Sequence, residues 1–167
     1  IVIVTFKSEL VIHECIKSIE KDIKIIVVEN SENLQFKEEL ENTYPNVSCV
    51  LTYKNLGMGV ANNIGIQKSN TDFVLILNPD VILETSTINE LIIASQKITN
   101  FAILAPISVD FDYPNYKLIN NKKDNEEDDF LLKVKSVDGF AMLINKKQLD
   151  EALSKDYFDK NFFMYLE

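Results

Sequence analysis

The sequence predicts an α/β fold in which a mostly parallel, Rossmann-like sheet is flanked by helices on both faces. Apolar runs rich in β-branched residues alternate with stretches of helical periodicity through the first hundred residues, as in strands joined by crossover helices. The runs are apolar at nearly every position, which is typical of strands buried on both faces. With 167 residues, 46% of them hydrophobic, the chain is long enough for one domain with a core and too short for two.

Four apolar runs are predicted to be parallel strands, at residues 1–6, 24–28, 47–53 and 73–77. A helix is predicted after each: one following Ser8, which we expect to cap it, one at residues 36–43, one after the turn at Gly57, and one around Leu91. Beyond residue 100 the pattern changes. Residues 103–109, 134–137 and 140–144 are predicted strands, with a small antiparallel element, and residues 146–153 are a predicted short helix. The polar residues from about 113 to 131 are a predicted mobile loop.

The net charge is −9, and all 17 basic residues are lysines. Such a chain argues against nucleic acid as a partner, because phosphate backbones are bound mainly by clustered Lys and Arg. The lone His13 and the separated Cys15 and Cys49 exclude a His-rich or C-x-x-C metal site. No apolar run reaches transmembrane length, and no signal peptide is visible. The chain begins without Met inside an apolar run and stops abruptly at Glu167, so we expect a piece of a longer protein, cut at both ends.

Polar residues directly follow three of the predicted strands. The three groups are Thr5-Phe6-Lys7-Ser8, Glu29-Asn30-Ser31 and Asn78-Pro79-Asp80. Because open parallel α/β sheets bind ligands at the carboxyl ends of their strands, these groups predict a site at one sheet edge. Each group also has a structural explanation, since Ser8 can cap a helix, Asn30-Ser31 can form a turn and Pro79 can end a strand. Their coincidence at one edge favours a site.

Asp80 is the strongest single candidate for a metal ligand. A carboxylate that follows a rigid proline at the end of a buried strand is well placed to hold Mg²⁺ or Mn²⁺, which take one or two carboxylates plus diphosphate oxygens. The alternative is that Asp80 only caps the next turn, and spacing alone does not separate the two. The segment from Gly57 to Asn63 lacks the G-x-G-x-x-G and GK[ST] patterns, so dinucleotide-binding and P-loop interpretations are weak.

Six segments carry a resemblance to a known family, and they occur in the family's order. They are Ile3-Val4-Thr5-Phe6-Lys7-Ser8, Ile26-Val27-Val28-Glu29-Asn30-Ser31, Asn55-Leu56-Gly57-Met58-Gly59-Val60-Ala61-Asn62-Asn63, Leu77-Asn78-Pro79-Asp80, Asp138-Gly139-Phe140-Ala141-Met142-Leu143 and Phe158-Asp159-Lys160-Asn161-Phe162-Phe163-Met164-Tyr165-Leu166-Glu167. Together they resemble family 2 glycosyltransferases, which have the GT-A (nucleotide-diphospho-sugar transferase) fold. The likeness is greatest to the bacterial rhamnosyltransferase-like branch that builds surface polysaccharides.

The resemblance implies a role for each matching position. The residues implied to bind the nucleotide are Thr5, Phe6, Ser8, Glu29, Asn55, Gly57, Asn62 and Asn78. Asp80 is implied to hold the metal, and Asp138 and Gly139 to face the donor sugar or the acceptor. Glu167 is implied to open an acidic pair whose Asp, expected as the next residue beyond the chain, deprotonates the acceptor hydroxyl.

The implied reaction is an inverting transfer of a sugar from a UDP- or dTDP-sugar to a glycan or lipid-linked acceptor. Residues 1–100 are the implied nucleotide-binding half of a single GT-A domain, and residues 101–167 begin the acceptor half. Glu29 stands where Asp is usual and Lys7 where Asn is common. Because the expected base is absent, we expect the chain to bind donor but to turn over poorly. A cytoplasmic location is implied. Association with the cytoplasmic face of the membrane and the oligomeric state are both left open.

Two other functions stay open on the sequence. A nucleotidyltransferase is also an α/β enzyme that handles nucleotide, metal and sugar phosphate, but it requires a glycine-rich basic loop after the first strand, and Thr5-Phe6-Lys7-Ser8 has no glycine. A non-catalytic nucleotide-binding fragment is the second alternative, which Asn78 and the missing base favour. Nucleotide binding with and without Mn²⁺ separates these cases.

Overall fold

A computed structural model describes residues 1–110, 112, 114–119, 131–153 and 156–163 of the chain. The elements, in chain order, are β1 (Val2–Thr5), α1 (Ile12–Lys17), β2 (Ile25–Glu29), α2 (Leu34–Thr43), β3 (Val47–Leu51), α3 (Met58–Lys68), β4 (Phe73–Leu77), α4 (Thr87–Lys97), β5 (Ile103–Leu104), β6 (Tyr116–Leu118), β7 (Val134–Val137), β8 (Ala141–Asn145) and α5 (Lys146–Leu153). The alternation of strands and helices is the predicted one.

Six strands form the main sheet in the order β3-β2-β1-β4-β8-β5. The pairs that β1 forms with β2 and β4, and that β2 forms with β3, are parallel. Strand β8 runs antiparallel to both β4 and β5, and β6 and β7 form a separate antiparallel pair. The prediction of a mostly parallel sheet with a small antiparallel element is therefore confirmed.

The central strands are buried on both faces. In β1, alternate residues belong to the two cores on either side of the sheet. Ile3 faces a core that also contains residues of α1, α2 and α4. Val2 and Val4 face a second core with residues of α3 and a partly buried residue of α5. Successive side chains of a strand point to opposite faces, so these two sides are called the α1 face and the α3 face. Each fully buried Ile or Val side chain stabilises the fold by about 1.5–3 kcal/mol.

Helix α3 packs closely on β1 because Gly65 faces Val2. A Cβ atom built on Gly65 would stand 2.3 Å from Val2 Cγ1 and 3.2 Å from Val28 Cγ2. The β1 backbone and the core on the α3 face fix Val2 in place, so a side chain at position 65 would force the helix away from the sheet. The glycine therefore sets the distance between α3 and the strands.

The structure corrects two local predictions. Helix α1 begins at Ile12, and Ser8 does not cap it with its side chain; instead the Ser8 carbonyl accepts the N–H groups of Val11 and Ile12 at 3.1 and 3.2 Å. Within the predicted loop at residues 113–131, Tyr116–Leu118 pairs with β7 as strand β6, because cross-strand pairing stabilises a segment that has no apolar pattern of its own. Residues 120–130 of that loop lie outside the described residues.

The predicted strand at residues 103–109 is confined to Ile103–Leu104, since Pro106 has no N–H to donate to a neighbouring strand. Within the part of the chain that the structure describes, no helix is long and apolar enough to cross a membrane.

Strand β3 is an edge of the main sheet. Side chains of α2 form hydrogen bonds with backbone groups on the unpaired side of this strand. Glu41 Oε1 accepts the Cys49 N–H at 2.7 Å, and the Lys37 ammonium donates to the Cys49 carbonyl. Lys37 and Glu41 also form an ion pair at 2.8 Å. Open strand edges are templates for unwanted pairing with other chains, so this ion pair shields the edge as well as joining α2 to β3.

We expect Glu41→Gln to lower the free energy of unfolding near neutral pH by about 0.5–1 kcal/mol, as for other partly exposed charge pairs. The Lys37 ammonium and the Cys49 N–H lower the pKa of Glu41 below its ordinary value of 4.5. Since the folded-state pKa is the lower one, the unfolded chain binds more protons. The contribution is therefore present above about pH 4.5 and is lost as the pH falls through the folded-state pKa.

Urea unfolding at pH 7 and at a series of acidic pH values measures this effect. The difference in stability between the unaltered chain and Glu41→Gln should shrink below pH 4.5. Glu38→Gln, which changes an exposed carboxylate on the same helix, is the control. A difference that stays constant through the acidic range would contradict the assignment.

Candidate functional site

A cavity of about 260 Å³ opens at the carboxyl edge of the parallel strands. Its lining comes from the ends of β1, β2 and β4, from the start of α3 and from a segment near the end of the described chain. The lining residues are Val4, Phe6, Ser8, Asn30, Asn55, Gly57, Met58, Asn78, Pro79, Asp80 and Phe163. The structure thus brings together six of the residues singled out from the sequence, namely Phe6, Ser8, Asn55, Gly57, Asn78 and Asp80.

Thr5 and Glu29, which were also expected to bind nucleotide, lie on the α1 face and do not line this cavity. They are neighbours in the register of β1 and β2, and Thr5 Oγ1 donates to Glu29 Oε2 at 2.6 Å. The Ser31 hydroxyl donates to the other carboxylate oxygen. The exposed fraction is 0% for Thr5 and 1% for Glu29. Because side chains alternate along a strand, these residues point away from the cavity that Val4 lines.

Asn30, which the site prediction did not single out, organises the loop that forms one wall of the cavity. Its Nδ2 group donates to Asn55 Oδ1 at 3.0 Å and to the Gly57 carbonyl at 3.2 Å. Its Oδ1 atom accepts the Leu56 N–H at 2.9 Å and the Thr52 hydroxyl at 3.1 Å. Both halves of this buried amide are used, so one side chain joins four residues, Thr52, Asn55, Leu56 and Gly57, and gives the Leu56 N–H its acceptor.

Gly57 allows the same loop to turn into α3. Its backbone has φ +82° and ψ 168°, a conformation that only glycine adopts readily. Its N–H donates to Asn55 Oδ1 at 3.0 Å, so the Asn55 side chain accepts from both Asn30 and Gly57. A Cβ at position 57 would also stand 2.6 Å from the Phe163 carbonyl oxygen. Backbone conformation and close packing both require glycine there.

The turn after β4 presents Asn78 and Asp80 to the cavity. The Asn78 N–H donates to the Phe140 carbonyl at 2.8 Å, and the Asn78 carbonyl accepts the Val81 N–H at 3.3 Å. The backbone therefore closes this turn, and the exposed Asp80 carboxylate stands at the cavity. The Asn78 Oδ1 atom is buried and has no hydrogen-bond partner among the described residues.

The Cys15 side chain of α1 contacts the backbone of this turn. Its thiol lies 3.5 Å from the Asn78 carbonyl oxygen. Burial, and secondarily the nearby Asp80 carboxylate, raises the pKa of Cys15 to about 12. The thiol therefore stays protonated at neutral pH and acts as a weak donor to the turn.

Of the other predicted residues, those that the structure describes do not line the cavity. Asn62 is buried on α3, and its Oδ1 atom has no partner among the described residues. Asp138 and Gly139 are exposed at the same sheet edge, because Ala141 of β8 pairs with Leu77 of β4. Glu167 lies outside the described residues. The Lys7 ammonium stands 5.5 Å from the centroid of the Phe6 ring, a cation–π contact.

A second, larger depression of about 470 Å³ lies at the opposite edge of the sheet, beside the start of β4 and the end of β8. Its lining residues are Asn70, Thr71, Asp72, Lys146, Lys147 and Asp150. We assign the site to the smaller cavity because ligands of open α/β sheets bind at the carboxyl ends of the strands. The smaller cavity also gathers aromatic rings and polar groups from five separate parts of the chain.

The residues present fit a cation whose shell is completed by a ligand. Within the described ranges no group of three or more His, Cys, Asp and Glu side chains could hold a metal ion. Among the described residues that line the cavity, Asp80 is the one that carries a carboxylate. A single carboxylate suits Mg²⁺ or Mn²⁺ when diphosphate oxygens supply further ligands.

The overall fold is that of GT-A glycosyltransferases. The structure of Staphylococcus aureus TarS matches with a TM-score of 0.66 and 16% identity, over 97% of this chain and 30% of that one. The Pyrobaculum calidifontis mannosyltransferase PcManGT, solved with GDP-Man and Mn²⁺, matches with a TM-score of 0.66 and 13% identity, over 90% of this chain and 45% of that one. At these identities the likeness shows the fold alone.

The chain belongs to glycosyl transferase family 2, whose pattern it matches over residues 1–153. A curated relative is the low-salt glycan biosynthesis hexosyltransferase Agl10 of Haloferax volcanii, which is 31% identical over 110 residues. That match covers 64% of this chain and 35% of the relative, so the chain spans about a third of the relative's length. Family membership favours the glycosyltransferase interpretation over a nucleotidyltransferase.

We expect Asn30→Ala to lower the free energy of unfolding by about 1–3 kcal/mol, because it removes four hydrogen bonds and leaves the Leu56 N–H without its acceptor. Amide hydrogen exchange at Leu56 should also accelerate, since its N–H loses the Asn30 acceptor. Asn30→Asp is the matched comparison: it keeps an acceptor for Leu56 and Thr52 but loses the donor to Asn55 and Gly57. It should leave Leu56 better protected than Asn30→Ala does, and equal protection in the two variants would contradict the assignment.

Proposed function

We propose that this chain carries the donor-binding part of a glycosyltransferase that transfers a sugar from a nucleotide diphosphate to a hydroxyl of a glycan or lipid-linked acceptor. The observation that carries the proposal is the single cavity at the carboxyl edge of the sheet. It combines an aromatic ring, Phe6, with the amide of Asn78 and the carboxylate of Asp80. A nucleotide sugar has a matching sequence of groups, from a planar base through ribose hydroxyls to a diphosphate.

The cavity offers complementary chemistry for the two ends of a nucleotide. The Phe6 ring is 43% exposed, so a planar base can stack on it. The Asn78 Oδ1 atom is buried without a protein partner. Buried acceptors of this kind are rarely left unpaired, and a donor hydroxyl would satisfy this one. Phe6 would hold the base, and Asn78 would orient the ribose or the groups next to it.

Asp80 would hold Mg²⁺ or Mn²⁺ together with the diphosphate. A bound cation supplies positive charge that stabilises the departing nucleotide diphosphate. The chain has no arginine, and none of the described residues that line the cavity is a lysine, so the lining itself supplies little positive charge. Cation affinity should therefore depend on the nucleotide diphosphate, since one carboxylate alone binds a divalent ion weakly.

The similar proteins support a nucleotide-sugar donor. TarS has been solved with UDP-GlcNAc, PcManGT with GDP-Man, and Agl10 is named a hexosyltransferase of glycan biosynthesis. The preference for UDP or dTDP stays a prediction from the sequence, as do the rhamnosyltransferase-like branch and surface polysaccharide synthesis. The inverting mechanism and the base next to Glu167 are likewise predictions, as are the cytoplasmic location and any attachment to a membrane face. Asp138 and Gly139, at the same sheet edge, are proposed to face the sugar or the acceptor.

Calorimetric titration with UDP, dTDP and GDP, each with and without Mn²⁺, tests the proposal. We expect at least one of these diphosphates to bind, and to bind more tightly with the metal. Asp80→Asn should weaken the metal-dependent binding by about tenfold or more, because it removes the charged ligand. Binding of the corresponding monophosphate, which lacks the second phosphate, should change much less.

Asp72→Asn is the matched control, because it changes an exposed carboxylate in the larger depression at the opposite edge. If Asp72→Asn weakens the binding and Asp80→Asn does not, the nucleotide binds in the larger depression, and the proposed site is refuted. No binding of any diphosphate would refute the function. Metal-dependent binding without sugar transfer, in a chain extended beyond Glu167 and supplied with acceptor, would instead favour the non-catalytic alternative.

A further inference from the structure

The segment at residues 156–163 packs against α3 and α5 although it is far from α3 in sequence. The Tyr157 hydroxyl donates to the Asp150 carboxylate of α5, and burial, then this contact, raises the pKa of Tyr157. The hydroxyl therefore stays a donor throughout the physiological range. This contact attaches Tyr157 to α5. Two further contacts attach Phe158 and Phe163 to α3.

Asn63 holds Phe158, which directly follows Tyr157, through both halves of its amide. Its Nδ2 group donates to the Phe158 carbonyl at 2.8 Å, and its Oδ1 atom accepts the Phe158 N–H at 2.9 Å. The Asn63 side chain is 5% exposed. The buried amide of Asn63 bonds both the N–H and the carbonyl of Phe158, as a neighbouring β-strand would. It therefore fixes the position and the direction of the segment.

Phe163 completes the cavity at the end of the same segment. Its carbonyl accepts the Met58 N–H at 3.0 Å, and the residue lines the cavity beside Gly57 and Met58. The carbonyl stands so close to Gly57 that a Cβ there would lie 2.6 Å away. The first N–H of α3 is thereby paired with Phe163. This helix start consequently serves as a docking point for the segment, whereas in phosphate-binding loops the corresponding N–H groups face the ligand.

We propose that Asn63 is a positioning residue for donor binding: by anchoring Phe158 to α3 it holds Phe163 in place as one wall of the cavity. Asn63 itself does not line the cavity, so it acts through the segment. The inference rests on the proposed donor binding and deepens it. It makes the nucleotide site depend on a segment about a hundred residues beyond the loop that the site's own motifs form.

The test measures binding of the tightest nucleotide diphosphate with Mn²⁺ to four variants of the 167-residue chain. Asn63→Ala and Phe163→Ala should each weaken binding by about tenfold, the loss expected when one wall is no longer held. The double variant should bind about as well as either single one, because both changes act on the same contact. Phe162→Ala is the control: Phe162 is exposed next to Phe163 but does not line the cavity, and its variant should bind like the unaltered chain.

A local spectroscopic readout separates positioning from a general loss of stability. The Met58 amide donates to Phe163, so in Asn63→Ala its hydrogen exchange should accelerate while amides of β1 keep their protection. Gly57→Ala should have the same effect from the other side, because its Cβ would displace the Phe163 carbonyl.

The outcomes distinguish this inference from the proposed function. No diphosphate binding by the unaltered chain would overturn both. Normal binding by Asn63→Ala, with the Met58 amide exposed, would overturn the inference and leave the proposed function intact. Additive losses in the double variant would also overturn it, because Asn63 would then act independently of Phe163. If Asn63→Ala fails to fold, Phe163→Ala compared with Phe162→Ala still decides whether the segment forms a wall of the site.

Discussion

The close approach of α3 to β1 is the constraint on which the cavity depends. Gly65 leaves no side chain between the helix and Val2, where a Cβ would come within 2.3 Å of a methyl group. The helix can therefore lie directly on the strands, which is a recognised use of glycine where helices pack on sheets. From that position α3 presents Gly57 and Met58 at its start and Asn63 five residues after Met58. A larger separation would move all three away from the strand ends that carry Asn78 and Asp80.

The end of β2 divides two structural tasks between consecutive residues. Glu29 points to the α1 face and is enclosed by the hydroxyls of Thr5 and Ser31, whereas Asn30 continues on the α3 face and holds the loop of Asn55 and Gly57. A buried carboxylate needs strong donors to offset its desolvation, and the two hydroxyls provide them. The polar groups at one sheet edge therefore belong to two separate networks, of which one is internal and the other borders the cavity.

The fold could be predicted from the sequence because buried parallel strands leave an unambiguous pattern, and β4 occupies the residues expected. The edge that carries the cavity followed from chain topology. The resemblance assigns Thr5 and Glu29 to the nucleotide site, and this assignment stays a prediction; the alternation of side chains places both on the face opposite Val4 and Asn30. That alternation was available in the sequence. The roles of Phe163 and β6 were not, since both depend on contacts between distant segments that no local pattern records.

The Asn63–Phe158 contact joins residues 95 positions apart, and this separation bears on the order of folding. The contact between Thr5 and Glu29 closes only 24 positions, so it can form while much of the chain is still unstructured. Closing a long loop costs more entropy, and contacts of high sequence separation generally form late. The strands and their two cores are thus expected to assemble first, with the last wall of the cavity arriving afterwards. The molecule would acquire its shape before it acquires its binding surface.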